Sequence, residues 1–215
     1  MQWIYCLLFL LCFMLIIALC EWLHNKGLHA EYTRKTAHIL SIFLCLFLPA
    51  CFTSHWYVLL LVVLATLTLY IGRRKQLFKS IESVERRTSG SYLLPISIGM
   101  VYYLSLVLHA QVFFTLPLVV LAVSDSLSCI FGKHYQSKSL KPGKTLIGTT
   151  VFFISTFIIC WSILFFQMPT VKMAGAALGI SIITTGVEFV SLRGSDNLTI
   201  PLSVIGSLLL LDRII

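Results

Sequence analysis

The chain has 215 residues, 58% of them hydrophobic and 11% charged, with a formal net charge of +8 and a mean hydropathy of +0.95. Soluble domains carry about 25% charged residues, so the polar surface needed to clothe a water-soluble fold is missing. In a soluble protein the positive charge would raise nucleic acid as a partner; here it is the Lys/Arg excess that orients membrane loops, and no nucleic-acid partner is expected.

Eight apolar segments follow one another, at about 3–22, 37–53, 56–71, 92–109, 111–131, 147–167, 172–190 and 199–211. About 20 apolar residues cross a bilayer core of about 30 Å, so the expectation is an all-α, polytopic transmembrane helix bundle of seven or eight spans in one domain, residues 1–215. The first segment lacks a basic n-region and a small-residue cleavage site and reads as a span rather than a removed signal. The last is short for a span. Between segments three and four, the charged stretch 73–90 carries Leu77, Phe78, Ile81 and Val84 as one apolar stripe. That spacing suits an amphipathic helix on the membrane surface, with a solvated loop the equal alternative. The seven cysteines lie mostly inside apolar segments and form no CxxC pair, which argues against a disulfide framework or a zinc site.

The basic residues are partitioned. The connections after segments one, three, five and seven hold fourteen of the sixteen Lys and Arg, leaving Lys172 and Arg213 for the other side. By the positive-inside rule the rich side is cytoplasmic, and both termini are expected on the opposite side. On that orientation the Asn197-Leu-Thr199 sequon faces the cytoplasm and is discounted as a glycosylation site.

Ionisable residues within or beside a span are costly and therefore functional candidates. Asp125, Glu188 and Asp196 all fall near the cytoplasmic ends of their segments. Hard oxygen ligands of this kind suit Mg²⁺, which takes one or two carboxylates and leaves its remaining positions to water and substrate phosphates. Helix-end charges or structural ion pairs are the plainer reading. Gly132-Lys133 and Lys141-Pro-Gly-Lys144-Thr145-Leu-Ile-Gly148-Thr149 bring glycines and lysines to the same face, a composition suited to phosphate. Gly143-Lys144-Thr145 is not a Walker A loop, since Lys138 stands where that motif needs glycine. Arg34, Lys35 and His38 open segment two, with 34 and 38 on one helical face; beside two cations the histidine fits an anion site. Thr88-Ser-Gly-Ser-Tyr-Leu-Leu-Pro95 marks a helix start. The remaining histidines show no metal-ligand spacing.

Five elements in order resemble a known family: Arg34-Lys35-x-x-His38, Gly90-Ser-Tyr-Leu-Leu-Pro95, Asp125 through Gly132-Lys133, Lys144-Thr-x-x-Gly148-Thr149, and Glu188 followed by Asp196-Asn197-Leu-Thr-Ile-Pro201. The pattern is similar to the membrane lipid kinases that include phytol kinase, dolichol kinase and CTP-dependent diacylglycerol kinase, which are in turn similar to phosphatidate cytidylyltransferases. His134-Tyr-Gln136 and Ile147 depart from it, where the family more often has a glycine and a glutamate.

The resemblance implies transfer of the γ-phosphate of CTP, or another nucleoside triphosphate, to a lipid hydroxyl at the membrane interface with Mg²⁺. Asp125, Glu188 and Asp196 would hold metal. Arg34, Lys35, Gly132, Lys133, Lys144, Thr145, Gly148, Thr149 and Asn197 would serve the nucleotide phosphates. Asp125, Lys144 and His38 would be catalytic, with Asp125 alternatively the base that orients the alcohol. The compact chain favours a phytol- or farnesol-like isoprenoid alcohol, or a polyprenol. Diacylglycerol phosphorylation, CDP-lipid formation and small-solute transport are the alternatives. A transporter would place its charges near the midplane and often shows inverted repeats, neither of which is visible.

Overall fold

A computed structural model describes residues 2–75, Leu77, Ser80, 90–135, 137–167, 172–191 and 194–212. The amphipathic stripe at Phe78, Ile81 and Val84 lies outside the described residues, as do Lys79, Arg86, Arg87, Thr88, Gln136, Arg193 and Arg213. Among the described residues the chain is an all-α bundle with one small hairpin: α1 (Gln2–Asn25), α2 (Ala30–Cys45), the single turn α3 (Leu48–Cys51), α4 (His55–Arg74), α5 (Gly90–Val107), α6 (Val112–His134), β1 (Ser139–Lys141), β2 (Lys144–Thr145), α7 (Leu146–Gln167), α8 (Lys172–Val190) and α9 (Asp196–Asp212). Seven helices, counting Ala30–Cys51 as one, are long and apolar enough to cross a membrane; α9 is a shorter apolar helix. The protein is a multi-pass integral membrane protein.

Helix α6 is the hub, packed against α2, α5, α7 and α9. Its Leu116, Leu118, Val120, Leu121 and Ala122 are fully enclosed. Large side chains on α1 and α4, such as Leu7, Leu11, Leu59 and Leu67, point outward instead, as expected of helices on the lipid-facing perimeter.

Two boundaries differ from the hydropathy reading in a way that matters. Helix α2 starts at Ala30 rather than 37, so Arg34 and Lys35 sit inside a helix and not in a connection. The polar first turns persist because their groups find partners. The His29 side chain accepts from the Glu31 amide at 3.3 Å, and Thr33 Oγ1 donates to the Ser80 carbonyl at 2.7 Å. Ser80 in turn donates through its amide and hydroxyl to Glu21 of α1, at 2.9 and 2.7 Å. Helix α6 likewise runs on to His134, placing Gly132 and Lys133 in its last turn.

The hairpin has a simple origin. Pro142-Gly143 forms its turn, with Gly143 at φ 86°, the left-handed conformation that glycine adopts without penalty at the second corner. Lys141 then pairs with Lys144, and Ser139 with Thr145.

Along α2, positions 34, 38, 41, 45 and, past the break, 48 recur at spacings of four and three, which puts them on one face. That face changes from charged to apolar along its length.

Candidate active site

The starts of α2, α5, α7 and α9 and the ends of α6 and α8 meet at one end of the bundle, joined by side-chain contacts. At the centre, Lys35 of α2 pairs with the Asp125 carboxylate of α6. His38, one turn on, places Nε2 3.7 Å from the same Asp125 oxygen and 3.4 Å from the Leu121 carbonyl. All three side chains are buried. A buried carboxylate costs several kcal/mol unless its charge is met, and here one oxygen faces two nitrogen-bearing partners.

Beside this centre opens a cleft lined by Arg34, Lys35, His38 and Ser41 of α2, Asp125 of α6, Gly90, Ser91 and Leu94 of α5, and Gly194, Asp196 and Asn197 at the entry to α9. Phe13, Ile17, Ala37 and Leu69 complete its wall. Asp196 lies within electrostatic reach of Asp125, Lys35, Lys144 and Arg34. Asn197 is committed to architecture: its Nδ2 donates to the Gly90 carbonyl at 2.7 Å, tying α9 to the first turn of α5. A Cβ at Gly90 would stand 2.9 Å from that nitrogen, so glycine is what permits the tie.

A second pair lies away from the cleft wall. Lys144, the first residue of β2, meets Glu188 of α8, while the other Glu188 oxygen, Oε2, is buried without a hydrogen-bond partner. Next to it, Gly132 and Gly148 let α6 and α7 approach closely around Thr145. The Gly148 amide donates to Thr145 Oγ1 at 3.1 Å. A Cβ on Gly132 would stand 2.8 Å from that oxygen and 3.3 Å from the Gly148 Cα. Close packing therefore accounts for both glycines and for the Thr145 hydroxyl. Thr149 Oγ1 is buried and makes no hydrogen bond.

The sequence reading overlooked Glu31. This buried residue of α2 bridges two helices. Its Oε1 lies 3.2 Å from Arg34, its Oε2 3.4 Å from Lys133 of α6, and the Cys129 thiol donates to Oε1 at 3.3 Å. The signal was available in the Glu31–Arg34 spacing of three, which makes helical neighbours, but it was hidden when residues 23–36 were treated as a connection.

Of the proposed site residues, Arg34, Lys35, His38, Asp125, Asp196 and Asn197 converge on the cleft, Lys144 and Glu188 pair beside it, and Lys133 joins Glu31. Gly132, Thr145 and Gly148 form the packing knot. Among the described residues, no three of His, Cys, Asp and Glu converge closely enough to cage a metal by themselves. The donor set still fits an ion that needs one or two carboxylates and shares phosphate oxygens, as Mg²⁺ does, with Asp196 and Asp125 on the cleft wall.

No family model matches this chain, and no solved structure matches it. Among curated proteins it is similar to a phytol kinase of Synechocystis sp., 28% identical over 179 residues that cover 80% of this chain and 76% of the kinase. The chain is a distant homologue of that lipid kinase. The aligned length is far more than one motif, so the likeness extends across most of the bundle.

Proposed function

We propose that the protein is a membrane lipid kinase that transfers the γ-phosphoryl group of a nucleoside triphosphate, CTP by preference, to the hydroxyl of an isoprenoid alcohol. The observation that carries this reading is the Lys35–Asp125–His38 centre on the wall of a cleft that also holds Arg34 and Asp196. The likeness to a phytol kinase supports the acceptor class. The basic connections support a cytoplasmic orientation of this end, where the nucleotide is available.

Phosphoryl transfer asks for positioning and charge neutralisation more than for covalent help from the protein. In the resting protein each lysine is neutralised by a carboxylate. An arriving triphosphate competes for Lys35, with Lys144 close behind, while Arg34 offers a planar fork matched to phosphate oxygens. As Lys35 turns to phosphate, Asp125 is released to accept a hydrogen bond from the acceptor hydroxyl. The alcohol oxygen then bonds to the γ-phosphorus as the bond to the bridging oxygen breaks. The hydroxyl proton passes to Asp125, and the nucleoside diphosphate leaves with the bonding pair. His38 faces the Asp125 carboxylate from the same cleft wall at 3.7 Å and, when protonated, favours its charged form. Mg²⁺, held by Asp196 and by Asp125 or Glu188, would neutralise the phosphate charge.

Purified protein in detergent with Mg²⁺ and γ-³²P-labelled CTP, offered phytol, farnesol, a polyprenol and diacylglycerol in turn, tests the reading. Label is expected in an extractable isoprenoid phosphate, and not with Asp125→Ala. Pyrophosphate release on adding phosphatidate, with no alcohol labelled, would overturn it in favour of a cytidylyltransferase.

A further inference from the structure

A second cavity adjoins the polar cleft. It is apolar and lies between α1, α2, α4 and α5. The two cavities share Phe13, Ser41 and Leu94 on their walls, so they adjoin as a charged head beside an apolar body. The same face of α2 runs through both, with Arg34 and His38 in the head, Ser41 at the junction, and Cys45 and Leu48 in the body. From Arg34 to Cys45 this is about 16 Å at 1.5 Å per residue. Helix α4 runs past both cavities in the opposite direction, with Leu69 on the head and Val58 on the body, both apolar.

We infer that this apolar slot binds the hydrocarbon tail of the acceptor as a single chain, and that it selects single-chain isoprenoid or alkyl alcohols over two-chain diacylglycerol. The inference rests on the lipid-kinase reading of the polar cleft. Three observations carry it. The apolar slot abuts the charged head through Phe13, Ser41 and Leu94, so a hydroxyl beside Asp125 leaves its tail directed at the body. Its lining is almost wholly apolar, which suits hydrocarbon and offers little to the ester carbonyls of a diacylglycerol. That lining comes from α1, α2, α4 and α5 along one face of α2, a track suited to a single extended chain. Holding the tail inside the protein fixes the depth of the hydroxyl, which free diffusion in the bilayer would not.

The test uses full-length protein in nanodiscs and two photoactivatable alcohols with a diazirine on the terminal carbon, one farnesol-length and one of five carbons. Labelling is expected around Phe9 and Val58 for the long probe and around Ser41 and Leu94 for the short one. Excess phytol should compete with the long probe, and dioleoylglycerol should compete poorly. Because this readout needs no phosphate transfer, it stands or falls separately from the kinase assay. In that assay, Ala65→Trp, midway along the body, is expected to lower the ratio of kcat/KM for phytol over a five-carbon alcohol by about tenfold or more. Val63→Trp, on the outward side of the same helix, should leave the ratio at the wild-type value. The inference is overturned if the long probe labels outward-facing residues without competition, if dioleoylglycerol competes as well as phytol, or if a folded Ala65→Trp variant keeps the wild-type ratio.

Discussion

Lys35–Asp125 and Lys144–Glu188 are the same chemical pair in two settings. Both carboxylates are buried, and both lysines come from the first part of an element; Asp125 lies midway along α6, and Glu188 near the end of α8. Asp125 forms part of the cleft wall and has His38 as a second neighbour. Glu188 is absent from that wall, faces one lysine, and leaves an oxygen buried without a hydrogen bond. The difference separates two jobs that composition alone assigns to any intramembrane carboxylate. A carboxylate that lines the cleft can meet substrate, whereas Glu188, behind the wall, sets the position of Lys144. The unpartnered Glu188 oxygen keeps a second option open, since a metal or an ordered water would satisfy it.

Replacing Asp125 by Asn is expected to have the largest effect, a loss of about 10²- to 10⁴-fold in kcat, the range for removing a general base. It also strands the buried Lys35 charge, a destabilisation of about 3–5 kcal/mol. Adding Lys35→Met should therefore restore thermal stability without restoring turnover. Recovery of activity in the double variant would show that Asp125 serves only to neutralise the lysine. Glu188→Gln should cost less, about 10- to 100-fold, as for groups that orient a functional residue from behind. A loss equal to that of Asp125→Asn would move Glu188 into direct contact with the reacting groups and end the distinction drawn above.

The smaller effects are structural. Gly132→Ala brings a methyl against the Thr145 hydroxyl and the Gly148 backbone and should destabilise by about 1–3 kcal/mol, read as a lower melting temperature in detergent. Unchanged stability would mean that α6 and α7 yield at their crossing, and the glycines would then need another explanation. Lys133→Ala removes a partner of Glu31 that is itself half-exposed, and its stability cost should stay within about 1 kcal/mol. A larger cost would identify the Glu31 bridge as a principal tie between α2 and α6.

The spans were legible because hydrocarbon leaves a long, nearly uninterrupted mark on composition. Asp125, Lys35 and His38 were legible because a charge in that setting is conspicuous. Hydropathy fails where polar residues are part of a buried helix. The first two turns of α2 look like a connection, since Glu31, Arg34 and Lys35 are hydrophilic and the α6 partners of Lys35 and Glu31 lie 90 to 102 residues further along the chain. The Asn197–Gly90 tie spans 107 positions and has no local signature at all. The hairpin was visible in Pro142-Gly143, a pair that marks a tight turn by its backbone preferences, but the lysines and glycines around it drew attention to phosphate instead.

The single face of α2 that carries Arg34, His38, Ser41, Cys45 and Leu48 also limits how this helix can change. One residue inserted after His38 would rotate everything beyond it by about 100°. Arg34 and Lys35 would stay at the charged end while Ser41, Cys45 and Leu48 swung off the shared wall. Substitutions along that face alter one contact each, but a shift in length uncouples the two ends at once. Helix length is thus held by a phase requirement, and variation in this segment is expected as exchanges of side chain rather than gains or losses of residues.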